Sequence, residues 1–126
     1  MKQRTLEWIA KAEGDWAIAQ REREAPSPVW DGICFHAQQC AEKYMKAVLE
    51  EHNIPFGKTH DLVYLMQSGA GLFASLEPLR ADLAYLSTFG IAARYPGADA
   101  DEQIADDALH IAGEVRRLVR NILNLP

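Results

Sequence analysis

Apolar residues recur along this chain at every third or fourth position, and no stretch alternates strictly between apolar and polar. That spacing predicts helices throughout and no strand. Residues 5 to 23 form the first expected helix, with Leu6, Ile9 and Trp16 facing inward and Lys11, Asp15 and Arg23 facing outward. Pro26 and Pro28 in "EAPSPVW" deny it a continuation. A second helix is predicted from about Val29 to Asn53, with an apolar stripe of Ile33, Ala37, Cys40, Tyr44 and Val48. "NIPFGK" then forms a loop. Thr59 or Asp61 is placed to cap a short third helix in "HDLVYLMQSG", whose first turn needs a side-chain oxygen to accept its unpaired N–H groups.

"GAGL" is read as a turn. The fourth helix carries Leu79, Leu83, Leu86 and Phe89 on one face and ends in "TFGIAARYPG". The fifth begins near "GADADEQ" and has the cleanest stripe: Ile104, Ala108, Ile111, Val115, Leu118 and Ile122. Asp99, Asp101 and Glu102 stand at its start and Arg116, Arg117 and Arg120 near its end, as the helix dipole favours. The expected architecture is all-α: an antiparallel up-and-down helical bundle of four long helices plus one short helix, in a single domain over residues 1–126.

Composition narrows the function. With 126 residues, 48% of them hydrophobic and 25% charged, the chain has the make-up of one ordinary globular domain. Thirteen basic residues against eighteen acidic give a net charge of -5, which argues against a duplex-DNA binder with a broad basic face. No apolar run approaches the ~20 residues of a membrane span, and the charged N-terminus does not resemble a signal peptide. Cys34 and Cys40 fall on different faces of one helix and are not expected to pair. Two thiols without an export signal point to the cytoplasm.

Candidate chemistry is sparse. There is no G-x-S-x-G, phosphate loop or G-x-G-x-x-G. His36 and Cys40 share a helix face at metal-ligand spacing, but Cys40 also belongs to the core stripe and is read as a buried thiol, so no metal and no cofactor is expected. "DADEQIADD" lacks the offsets of a calcium loop and is read as helix-start charge. His60 in "KTHDL" has two readings, part of a helix start or a residue that faces a cleft with Lys58, and the helix start is preferred. Along the second helix, His36, Gln39, Lys43 and Lys46 make a polar stripe. It is either a solvated face, with Glu42 paired to Lys46, or a surface that meets phosphate or ribose. Arg94 suits a helix C-terminus, and Tyr95, preceding Pro96, is pushed out of the helical conformation.

Three pieces together give these residues a context. "CFHAQQCAEKYMKAVLEEHNIPFGKTHDLVYL" (34–65) resembles the signature of HEPN-domain proteins, F-H-x-x-Q-x-x-E-K-x-x-K-A followed by T-H-D-L. "ARYPG" (93–97) resembles the family's second signature, and a last amphipathic helix completes the pattern. The resemblance implies a five-helix bundle that commonly forms a homodimer. It also implies a minimal nucleotidyltransferase as partner, in many cases as a toxin–antitoxin pair, and a nucleotide or RNA contact. Arg94, Tyr95, His36, Gln39 and Lys43 then become groove residues, with the Arg94 guanidinium a planar fork for phosphate. Some family members are metal-independent ribonucleases with an R-x(4–6)-H motif. Here Asp99, Ala100 and Asp101 occupy the permitted positions after Arg94, so no catalytic residue is assigned. The alternatives to a binding module are a ribonuclease that pairs Arg94 with another histidine, such as His36 or His60, and a dimerisation bundle without a ligand.

Overall fold

The computed structural model describes residues 1–91 and 96–126. The elements are α1 (Gln3–Arg23), α2 (Trp30–Glu51), α3 (Leu62–Ser68), a 3₁₀ stretch (Ala70–Leu79) that runs directly into α4 (Arg80–Ser87), and α5 (Glu102–Ile122). The fold is all-α, with no strand among the described residues. The 3₁₀ stretch and α4 together make the fourth limb expected from the leucine spacing; Leu83 and Leu86 are buried on it, and Phe89 is buried just beyond its end. Ala70–Leu72, expected as a turn, instead opens this stretch.

Side-chain contacts fix the directions of the long helices. Lys2, ahead of α1, reaches Glu50 and Asn53 at the far end of α2. At the other end, the Arg23 guanidinium lies over the Trp30 ring. Arg23 also binds Asp106 at the start of α5, while Glu13 meets Arg116 further along it. Helix α1 is thus antiparallel to both α2 and α5.

Helix α2 is the centre of the molecule. The expected stripe of Ile33, Ala37, Cys40, Tyr44 and Val48 is fully buried, and so are Cys34, Ala41, Met45, Ala47 and Leu49. No disulfide joins Cys34 and Cys40. Its end is closed by Asn53 in the left-handed conformation (φ 57°), with Ile54 N–H donating to Leu49 O and Asn53 N–H to Glu50 O. Those bonds satisfy carbonyls that the helix leaves open. The same cap recurs after α5 at Asn124, where Leu125 N–H donates to Arg120 O.

Helix α1 corrects two expectations. Its buried residues are Thr5, Ala12, Asp15 and Ala19, whereas Leu6 is 45% exposed. Small side chains on that line let α1 approach α2 closely, and they rotate the helix so that Leu6 points to solvent and Asp15 into the seam. Trp16 and Ile9 pack at the edge of the core, as their spacing predicted.

Between α1, α2 and α5 lies a polar knot. Glu13 binds Arg116 through two bonds of 2.8 Å and accepts the Tyr44 hydroxyl proton at 2.6 Å. Arg120 donates to the Tyr44 oxygen at 3.0 Å. The arginines that close α5 thus also tie it to the other two helices. The Arg116 hydrogen bond holds the Glu13 carboxyl below its ordinary value, against the effect of burial. Burial, reinforced by Glu13, pushes the Tyr44 phenol up to about 12.

Candidate functional site

The polar residues of α2 sort into two groups, each organised by a buried carboxylate. In the first, Asp15 of α1 is 7% exposed and serves two bases of α2. Its Oδ1 lies 2.8 Å from His36 Nδ1, and its Oδ2 accepts from Lys43 Nζ at 2.6 Å. A carboxylate can only accept, so this contact assigns the imidazole proton to Nδ1, and Nε2 has no hydrogen-bond partner among the described residues. The side chains of His36 and Lys43 remain 28% and 23% exposed. The sequence reading placed Asp15 on the outer face. The structure instead inserts it beneath the two bases, where they compensate its charge.

The second group is built on Glu42, which is also buried. Lys46 Nζ donates to Oε2 at 2.9 Å, the i,i+4 pair that the spacing allowed. Both partners are buried, however, so this part of the stripe is not a solvated face. The Lys46 ammonium also lies 5.6 Å from the centre of the Trp8 ring and 5.7 Å from that of Phe56, which stabilise it through their electron-rich faces. Glu42 Oε1 receives His60 Nδ1 at 2.7 Å and Gln38 Nε2 at 3.2 Å. Gln38 is itself fully buried and donates to the His60 carbonyl at 3.0 Å.

Gln39 lies between the two groups along the helix surface, and its amide turns towards the second, donating to Gln38 Oε1 at 2.8 Å. His36 and Lys43 therefore meet on one carboxylate while Gln39 joins its neighbour's network.

His60 departs from its expected role. The cap of α3 is Asp61, whose side chain accepts from Tyr64 N–H at 3.1 Å, and Thr59 Oγ1 accepts from Asp61 N–H at the same distance. The His60 ring reaches across to Glu42 instead. The sequence marked His60 as part of a helix start and within the T-H-D-L resemblance, but no local spacing joins it to α2. Asp15 had a quieter signal: it stands three positions after Ala12 and four before Ala19, on the line of small residues that seats α1.

The chain leaving α4 touches the second group directly. Gly90 is buried, and a Cβ there would lie 2.8 Å from His60 Cβ and 3.2 Å from Gln38 Nε2. The segment that leads to "ARYPG" therefore starts on the His60–Gln38 surface. Arg94 and Tyr95 lie outside the described residues.

These side chains can bind polar ligands: two imidazoles oriented by carboxylates, one half-exposed ammonium and one amide sit along a single helix and its bordering loop. Cys40 belongs to the core, where burial raises its thiol far above the ordinary value. No group of three or more His, Cys, Asp or Glu suited to a metal ion occurs among the described residues. No helix among them is long and apolar enough to cross a membrane.

No curated protein matches this chain. Among solved structures, a crystal structure of an archaeal HEPN homologue superposes with a TM-score of 0.74 at 23% identity, covering 96% of this chain and 98% of the other. At that identity the likeness speaks for the fold. The sequence profile of the HEPN domain matches residues 5–122, a span that runs from the first turn of α1 to the end of α5, and the chain accordingly belongs to the HEPN family.

Proposed function

We propose that this protein is a non-catalytic binding module. In this reading a HEPN homodimer engages a minimal nucleotidyltransferase, in a toxin–antitoxin-type pair, and contacts a nucleotide or an RNA segment through His36, Gln39 and Lys43 together with Arg94 and Tyr95. The observation that carries it is the Asp15 group. One buried carboxylate holds an imidazole and an ammonium side by side at the edge of α2, each with part of its surface and hydrogen-bonding capacity left over. A preorganised ammonium, beside an imidazole that donates through Nε2 when protonated, recognises phosphate without the cost of ordering these groups at the moment of binding. The net charge of -5 fits a local contact better than tight, nonspecific RNA binding.

Calorimetric titration with a nucleotide and co-purification with a co-expressed nucleotidyltransferase test the two halves of this proposal separately. Lys43→Ala and Arg94→Ala are expected to weaken nucleotide binding about tenfold, the loss of one charge-assisted hydrogen bond each. Wild-type affinity in both variants overturns the site.

One observation favours a second reading, a metal-independent ribonuclease. His36 and His60 are each held by a carboxylate through Nδ1, an arrangement that orients an imidazole for use as a general acid or base. Cleavage of RNA by the pure protein, abolished in His36→Ala, would establish it. No cleavage at high protein concentration removes it.

A further inference from the structure

His60 is an exposed side chain held as rigidly as a buried one. Its side chain is 53% exposed, yet three contacts pin the residue. The ring nitrogen Nδ1 is fixed to Glu42 at 2.7 Å, the backbone carbonyl accepts from buried Gln38 at 3.0 Å, and Gly90 packs so closely that a Cβ at its position would lie 2.8 Å from the His60 Cβ. Glu42 in turn is anchored by Lys46 between two aromatic rings. A surface histidine in a loop is ordinarily free to rotate, and ordering it costs conformational entropy. Here that cost is met within the fold, and Nε2 is left as the ring nitrogen with no hydrogen-bond partner among the described residues. Two residues earlier, Lys58 is exposed and forms no ion pair with any described residue.

We propose that His60 and Lys58 form a phosphate-contacting subsite that extends the binding surface of α2 onto the loop before α3. The inference rests on the binding reading above and names the group recognised, the phosphate of a nucleotide or of an RNA strand. A protonated His60 donates through Nε2 while its Nδ1–H stays bonded to Glu42, and Lys58 supplies an exposed ammonium two residues earlier in the same loop. Glu42 is a positioning residue, since it acts only through the imidazole. A purely structural role for His60, as one more partner for buried Glu42, needs Nδ1 alone and leaves Nε2 and Lys58 without consequence.

The difference between those roles is testable by substitution. An asparagine places its amide near the position of Nδ1 and has nothing at Nε2. His60→Asn therefore keeps the bond to Glu42 and removes the proposed contact. Thermal unfolding and titrations with ATP and with a hexaribonucleotide are measured for wild type, His60→Asn, Lys58→Ala and Lys43→Ala. The expected result is a melting temperature close to wild type and a dissociation constant raised about tenfold for His60→Asn, with a smaller rise for Lys58→Ala. Weakening of ATP alone, of RNA alone or of both identifies the source of the phosphate, and each supports the subsite. If His60→Asn does not fold, exposed Lys58 decides the matter through Lys58→Ala. Wild-type affinity in the His60 and Lys58 variants, with weakened binding in Lys43→Ala, overturns the subsite and leaves the binding reading standing. A wild-type protein that binds neither ligand overturns both.

Discussion

Two carboxylates, Asp15 and Glu42, are buried next to bases rather than alone, and each spends its acceptor capacity on more than one partner. A buried carboxylate without such partners would be strongly destabilising, so these groups hold α1 and the α3 loop to α2 as well as shaping the surface. Gly90 is the point at which that arrangement leaves no room. A Cβ there would lie 2.8 Å from the Cβ of His60, close to the backbone and unable to swing away. Gly90→Ala is therefore expected to destabilise the fold by about 1–3 kcal/mol through forced displacement of the loop or of the chain leaving α4. Urea unfolding measures it. A variant as stable as wild type would mean that the His60 loop yields without cost, and would weaken the case for its rigidity.

At the scale of helices, stability is set partly at their ends. Asp101 accepts from Ile104 N–H at 2.9 Å and Glu102 follows in the first turn, so α5 begins with both a cap and a favourable charge. Asp101→Ala is expected to cost about 1 kcal/mol, with no change in the core. Denaturant titration would show an unchanged slope and a lower midpoint. The helices differ in how openly the chain announces them. Helices α2 and α5 were legible because Ile33, Tyr44, Val48, Ile111 and Val115 are large, apolar and helically spaced. The orientation of α1 was not, because its contact line consists of alanines, a threonine and an aspartate, residue types that carry little hydrophobic signal. The site divides in the same way. Spacing on α2 put His36 near Lys43 and Glu42 near Lys46, but Asp15 and His60 reach these pairs only through tertiary packing, which no local period encodes.

For the whole molecule, the three long helices are joined by the Glu13–Arg116–Tyr44–Arg120 knot, and its charge state makes their packing sensitive to acid. The Arg116 hydrogen bond lowers the Glu13 carboxyl in the folded state relative to its ordinary value of 4.5, so the unfolded chain binds the proton more readily. Stability from this group is therefore fully present above the unfolded value and is lost as pH falls through the folded one. Glu13→Gln keeps an acceptor for Arg116 but removes the charge. At pH 7 it is expected to be less stable than wild type, and the gap should shrink as pH falls from 4.5 and close below the lowered folded value, where Glu13 itself is neutral. The partial exposure of Glu13 makes the effect modest through solvent screening. Urea unfolding of both proteins at a series of pH values isolates it, since other carboxylates, such as Glu51 held by Lys2 and Thr5, titrate identically in the two. A difference that stays constant between neutral and acid pH would assign the knot's contribution to packing and not to charge.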